Sequence, residues 1–258
     1  MTRLILFLPL TAALMTACGG GVSVLPPSNF TQPTSINGTV QNYRGGATTI
    51  EALAVGTSAK SPSNPSIASA ALSASGNFTL PLPTLATITP YLSAPGSAAD
   101  GVYTETGCSG MLTNSAPDAQ GYTVGALNVG GVTYSTVTTV TNQTARTITV
   151  DGGEWTYSTK ATTLGGNITC TQSANGSTTV LQVSANVPLK AGWNFLKLHA
   201  DGAASSDGST VTINLNFAAA DDRATTWSSA SASPLGMNPL ASSVKARLSS
   251  FRFGNLHF

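Results

Sequence analysis

From position 181 to 189 every second residue is apolar: Leu181, Val183, Ala185, Val187 and Leu189. Residues two apart share a face only in an extended strand, so this run predicts β-structure with one buried face; a helix would scatter the same side chains around its surface. The pattern recurs at Val211, Ile213, Leu215 and Phe217, and more briefly over 122–124, 132–134, 148–150, 155–157 and 193–198. Turn signals separate these runs: Asp151-Gly152-Gly153, Gly165-Gly166-Asn167, Asn175-Gly176, Ala191-Gly192 and Asp207-Gly208. Short strands rich in Thr and Val at this spacing predict an antiparallel sandwich or barrel.

The earlier part of the chain reads the same way. A short strand is expected over 36–40 around Gly38, and another over 48–55 with Ile50, Ala52 and Ala54 on one face. A loop at 61–65 leads to a hairpin, 67–72 and 78–82, with its turn at 73–76. Near the C-terminus, Asn238-Pro239 can start a helix whose face is Leu240, Val244, Leu248 and Phe251. The expected fold is mainly β, with one or two antiparallel β-sandwich units. A small unit spans 35–98, and a larger one spans 99–258 and ends in a short helix over about 239–250. The last residues, 251–258, alternate as a final edge strand does.

Charged residues make up only 8% of the chain against 41% hydrophobic, so a core is affordable and the low charge does not signal disorder. The formal net charge is +1, and Arg3 lies in a segment expected to be removed. A balanced chain without a basic cluster lacks the electrostatic footprint of a nucleic-acid binder, so that function is excluded.

Residues 1–17 read as an export signal. Arg3 supplies the positive start, and an apolar run from Leu4 to Met15 follows, too short for the roughly 20 residues of a permanent span. The segment Leu14-Met15-Thr16-Ala17-Cys18 resembles the bacterial lipobox, with Met15 where leucine is commonest. The resemblance implies that Cys18 becomes a diacylglyceryl thioether and the first residue of the mature protein. Several buried acyl chains hold a protein stably where one does not. Gly19 stands where inner-membrane lipoproteins often carry Asp, which points to the outer membrane. Residues 18–34, rich in Gly and Pro, read as a flexible tether. The terminal Phe258 is also a feature of outer-membrane barrel strands, but the lipobox argues against a barrel that spans the membrane.

With Cys18 lipidated, Cys108 and Cys170 remain as a pair in an oxidising compartment. A disulfide is expected, with two buried free thiols as the alternative. The segments Ile36-Asn37-Gly38-Thr39-Val40 and Ser75-Gly76-Asn77-Phe78 resemble the carboxypeptidase-regulatory-like or transthyretin-like β-sandwich. That resemblance implies a structural or binding module without catalytic residues, although Ser75 replaces the usual acidic turn residue. The run Leu189-Lys190-Ala191-Gly192-Trp193-Asn194 resembles a turn found in extracytoplasmic lipoproteins of unassigned function, with Trp193 as a core anchor.

No catalytic constellation emerges. The only histidines are His199 and His257, and no Gly-x-Ser-x-Gly or phosphate-binding glycine motif occurs. His199 reads as a surface residue at a strand end. Asp151, Asp201 and Asp207 read as turn residues, and Asp201, Asp207, Asp221 and Asp222, which could meet around calcium, lie in no ordered calcium loop. No catalytic residue, metal or cofactor is expected. The expected function is a lipid-anchored envelope module that binds or supports a protein or glycan partner, such as a surface-layer component, without enzyme activity. The alternatives are a carbohydrate-active or peptide-processing enzyme with unpaired acids, and a small-molecule carrier if the second unit closes as a barrel.

Overall fold

The computed structural model describes residues 32–54, 65–93, 107–136, 138–142, 145–174, 176–220 and 224–229. Cys18, most of the tether, His257, Asp221, Asp222, and the helix and edge strand expected after residue 238 lie outside the described residues. In chain order the strands are β1 (Ser35–Val40), β2 (Thr48–Leu53), β3 (Ser66–Leu72), β4 (Asn77–Pro81), β5 (Cys108–Asn114), β6 (Gly121–Val124), β7 (Ala126–Val129) and β8 (Val132–Ser135). They continue as β9 (Thr138–Asn142), β10 (Thr147–Ser158), β11 (Thr162–Ala174), β12 (Ser177–Leu189), β13 (Gly192–Ala204), β14 (Thr210–Ala220) and β15 (Ala224–Ser229). One short helix, α1 (Leu85–Ile88), begins at Thr84, whose hydroxyl accepts the Thr87 N–H, and sends Ile88 into the core.

The chain is mainly β, in two sheets. The first closes into a barrel in the order β1-β15-β8-β7-β2-β3-β4. It takes strands from three parts of the chain, so the segment 35–98 does not complete a sheet by itself. Its interior is filled by Ile36, Ile50, Leu72, Leu80, Leu127 and Trp227, each at most 1% exposed. Gly38 explains the Ile36-x-Gly38-x-Val40 pattern: a Cβ there would stand 2.7 Å from both the Phe78 and Trp227 rings, which meet edge to face at 6.2 Å. The pairing of β1 with β15 is parallel, Asn37 opposite Ala224 through Val40 opposite Trp227.

The second sheet has the order β5-β11-β12-β14-β13-β10-β6, with β9 also paired to β10. The chain passes from β12 into β13 through a tight turn, yet β14 lies between them, parallel to β12 and antiparallel to β13. One face carries the alternating apolar set into a core of Leu181, Val183, Leu198, Ile213 and Leu215. The other face is divided. Near one end Trp155, Trp193 and Phe195 pack into the barrel's core, and farther along the same strands the side chains emerge to solvent. Both sheets belong to one compact unit.

Two expected turns are strand interior. Asp151-Gly152-Gly153 lies within β10, and Gly165-Gly166-Asn167 lies within β11. Gly153 and Gly166 serve close approach instead of chain reversal. A Cβ at Gly153 would collide with the Phe195 ring, and one at Gly166, whose φ is +132°, would collide with the Met111 carbonyl across the β5–β11 ladder. Asp207 does form a turn, between β13 and β14. The Ser205 hydroxyl at 2.6 Å and the Ser209 N–H at 3.0 Å hold its carboxylate ionised, lowering its pKa to about 2.

The Cys108–Cys170 disulfide is formed, joining directly opposed residues of β5 and β11.

Candidate functional site: a polar platform on the large sheet

The rigid part of the site begins at the β12–β13 turn. Gly192, at φ +94°, closes it, and the buried Asn194 folds back over it. The Asn194 Oδ1 accepts the Lys190 N–H at 2.9 Å, while its Nδ2 donates to the Lys190 and Gly192 carbonyls at 2.8 and 2.9 Å. Trp193 turns the other way and donates its indole N–H to the Pro83 carbonyl at 3.1 Å, tying the large sheet to the barrel. The Gly-Trp-Asn sequence is thus a turn, an anchor and a staple in succession. Replacing the buried Asn194 with alanine removes the acceptor of the Lys190 N–H and the donor to the Lys190 and Gly192 carbonyls, and the variant is expected to lose about 2 kcal/mol of stability. Thermal melting should register this as a fall in Tm of about 4–8 °C.

Beyond that turn, the exposed face of the sheet presents two adjacent cross-strand rows. In the first, Asn167 stands opposite Ser184, Ser184 beside Asn216, Asn216 opposite His199, and His199 opposite Asp151. In the second, Thr169, Gln182, Asn214, Asp201 and Thr149 follow one another across the same strands. Every member can donate or accept a hydrogen bond, none is apolar and none is Phe, Tyr or Trp, and all are exposed or half-exposed. Strands lie about 4.8 Å apart and alternate residues about 7 Å apart, so each row runs about 19 Å.

One end of the platform is charged. His199 Nδ1 lies 2.7 Å from Asp151 Oδ1, and Nε2 lies 3.0 Å from Asp201 Oδ2. The Thr149 hydroxyl donates to the other oxygen of Asp201 at 2.9 Å. The hydrogen bond to Asp151, with a smaller contribution from Asp201, raises the His199 pKa above its ordinary value; slight desolvation opposes it. Both ring nitrogens are occupied, so His199 has none left with which to activate a serine or water. Both carboxylates of the triad stay more than half exposed, within reach of solvent or a ligand.

His199 thus sits within β13, not at a strand end, and Asp151 and Asp201 sit in strands, not in turns. The structure brings these three together and leaves Asp207 apart at the β13–β14 turn. Among the described residues, no three His, Cys, Asp or Glu side chains form a group that could hold a metal ion. An open groove of about 640 Å³ beside β2 and the β3–β4 hairpin is lined by residues such as Thr49, Leu72, Asn77 and Phe78, and among the described residues no titratable side chain lines it.

Sequence reading missed the uncharged platform residues and Glu154. The alternation in β12 and β14 marks Gln182, Ser184, Asn214 and Asn216 as outward, but their alignment into rows depends on register. Glu154 lies on the buried face of β10, directly opposite Leu196. Desolvation raises its pKa to about 7, and a hydrogen bond with Thr156 opposes the shift.

No family model matches the chain, and neither does any curated protein or solved structure.

Proposed function

We propose that this is a lipid-anchored envelope protein that works by binding and not by catalysis. Acyl chains on Cys18 hold it at the outer membrane, residues 18–34 act as a tether, and the sheet platform meets the partner. The platform is the observation that carries this reading: a broad polar surface on a sheet whose opposite face is a packed core. A backbone fixed by a hydrogen-bonded ladder loses little freedom on binding, which leaves only the side-chain rotamers to be ordered. The enzyme alternative receives less support, because the paired acids Asp151 and Asp201 are spent on one imidazole at an open surface. The carrier alternative required the larger unit to close, and it is the other sheet that closes, around a filled interior.

The anchor is tested by fractionation. Wild-type protein is expected to incorporate labelled palmitate and to stay with membranes through an alkaline carbonate wash; Cys18→Ala is expected to do neither. A variant retained in washed membranes would overturn the anchoring.

A further inference from the structure

The binding reading leaves the partner's chemistry open, and the platform narrows it. Resting on that reading, we propose that the two rows form a docking surface for an uncharged, hydroxyl-rich glycan chain laid across the strands. Asn216 and Asn214 stand at its centre, and the Asp151–His199–Asp201 group closes one end.

Charge is the first argument. Neither row contains lysine or arginine, the charged end holds two carboxylates around one imidazole, and Lys197, the exposed cation beside His199 on that face of β13, is itself already partnered. Sulfated or phosphorylated chains would meet acidic groups without a guanidinium or ammonium in the rows to pair with them. A protein interface is anchored by buried aromatic and aliphatic groups, and the rows offer none. A neutral polyol is the ligand class whose groups match. Each amide side chain presents a donor and an acceptor side by side, as adjacent sugar hydroxyls do, and the carboxylates accept hydroxyl protons. The strand spacing of about 4.8 Å approximates the length of one sugar unit, so successive residues along a row can meet successive sugars.

Rigidity is the second argument. The face opposite the rows carries Ile168, Leu181, Val183, Leu198 and Ile213, each at most 1% exposed, so the platform cannot fold away from a ligand. Cys170, on that same buried face, is bonded covalently to β5.

The test uses the mature lipidated protein in detergent micelles. Titration calorimetry is run with the hexamers of glucose and of N-acetylglucosamine, and with a sulfated hexasaccharide as the anionic probe. At least one neutral hexamer is expected to bind with a Kd of about millimolar or tighter, and the sulfated probe is not. The paired change Asn214→Ala and Asn216→Ala is expected to weaken that binding about tenfold or more while leaving the Tm unchanged, because both side chains are exposed. Thr79→Ala, on the barrel, is expected to leave it intact. Absence of binding to both neutral hexamers, preference for the sulfated probe, or binding indifferent to the paired change would each overturn the glycan assignment. A protein captured from envelopes through the platform, with no glycan binding, would overturn it too while the binding-module reading stood. Glycan binding by a chain that proved unanchored would instead leave the platform standing and remove the anchor.

Discussion

Replacing Cys108 and Cys170 together by alanine is expected to destabilise the fold by about 4 kcal/mol, the loop-closure entropy of a cross-link spanning some 60 residues. The sequence separation is 62 residues, and the enclosed segment runs through β6 to β10 before returning to β11. In the unfolded chain the bond removes much of that segment's freedom. In the folded protein it holds the first strand of the large sheet to its neighbour. Among the described residues β5 is paired only with β11, over the seven positions from Leu164 opposite Asn114 to Cys170 opposite Cys108. Alanine suits the test because Cys170 is fully buried and a serine hydroxyl would add a desolvation penalty of its own. A chain of this size should show a Tm lower by about 8–16 °C. Amide exchange should rise first in β5. A Tm within about 2 °C of wild type would mean that the unfolded ensemble is already compact enough to make the cross-link redundant. An independent check is thiol titration of the folded Cys18→Ala protein, in which no free thiol is expected.

The legible parts of this fold are those where apolar alternation is strong. The runs at 181–189 and 211–217 became β12 and β14, and the hairpin around Ser73 and Gly76 became β3 and β4. Glycine was the main source of error. Its pairs at 152–153 and 165–166 carry the same local signal as a turn, and only the Phe195 ring and the β5 backbone reveal that space was the requirement. Strand β5, Cys-Ser-Gly-Met-Leu-Thr-Asn, escaped notice because its burial does not alternate cleanly. Strand β15 has Trp227 as its one large apolar residue, and its place beside β1 depends on contacts between the two ends of the barrel's sequence. His199 was misplaced for a related reason, since Asp201-Gly202 resembles a turn while β13 continues through it to Ala204. The platform lies further beyond sequence reading. Each strand discloses its outward residues, but five strands must be set in register before Asn167 and Asp151 fall on one line.

Glu154 shows what a register can hide, and its replacement by glutamine is expected to stabilise the protein by about 3 kcal/mol at pH 8. The side chain points to the face that carries Leu196 and Leu198, and it is 9% exposed. Burial raises its pKa from the ordinary 4.5 to about 7, with only the Thr156 hydrogen bond acting in the opposite direction. Below pH 4.5 the carboxyl is protonated in both folded and unfolded chains, so it imposes no ionisation penalty. Between 4.5 and about 7 the unfolded chain releases the proton while the folded one keeps it, so the folded state binds more protons and stability falls as pH rises. Above about 7 both states are ionised, and the folded protein carries the full penalty of a buried carboxylate. Glutamine has nearly the same shape, retains a partner for Thr156 and does not titrate. The variant and wild type should therefore melt together near pH 4 and separate progressively to a Tm difference of about 6–12 °C at pH 8. A constant difference across that range would assign the effect to packing instead of ionisation. A variant less stable at pH 8 would mean that the carboxylate is held ionised by a cation, and the buried glutamate would then be an asset to the fold where burial alone makes it a liability.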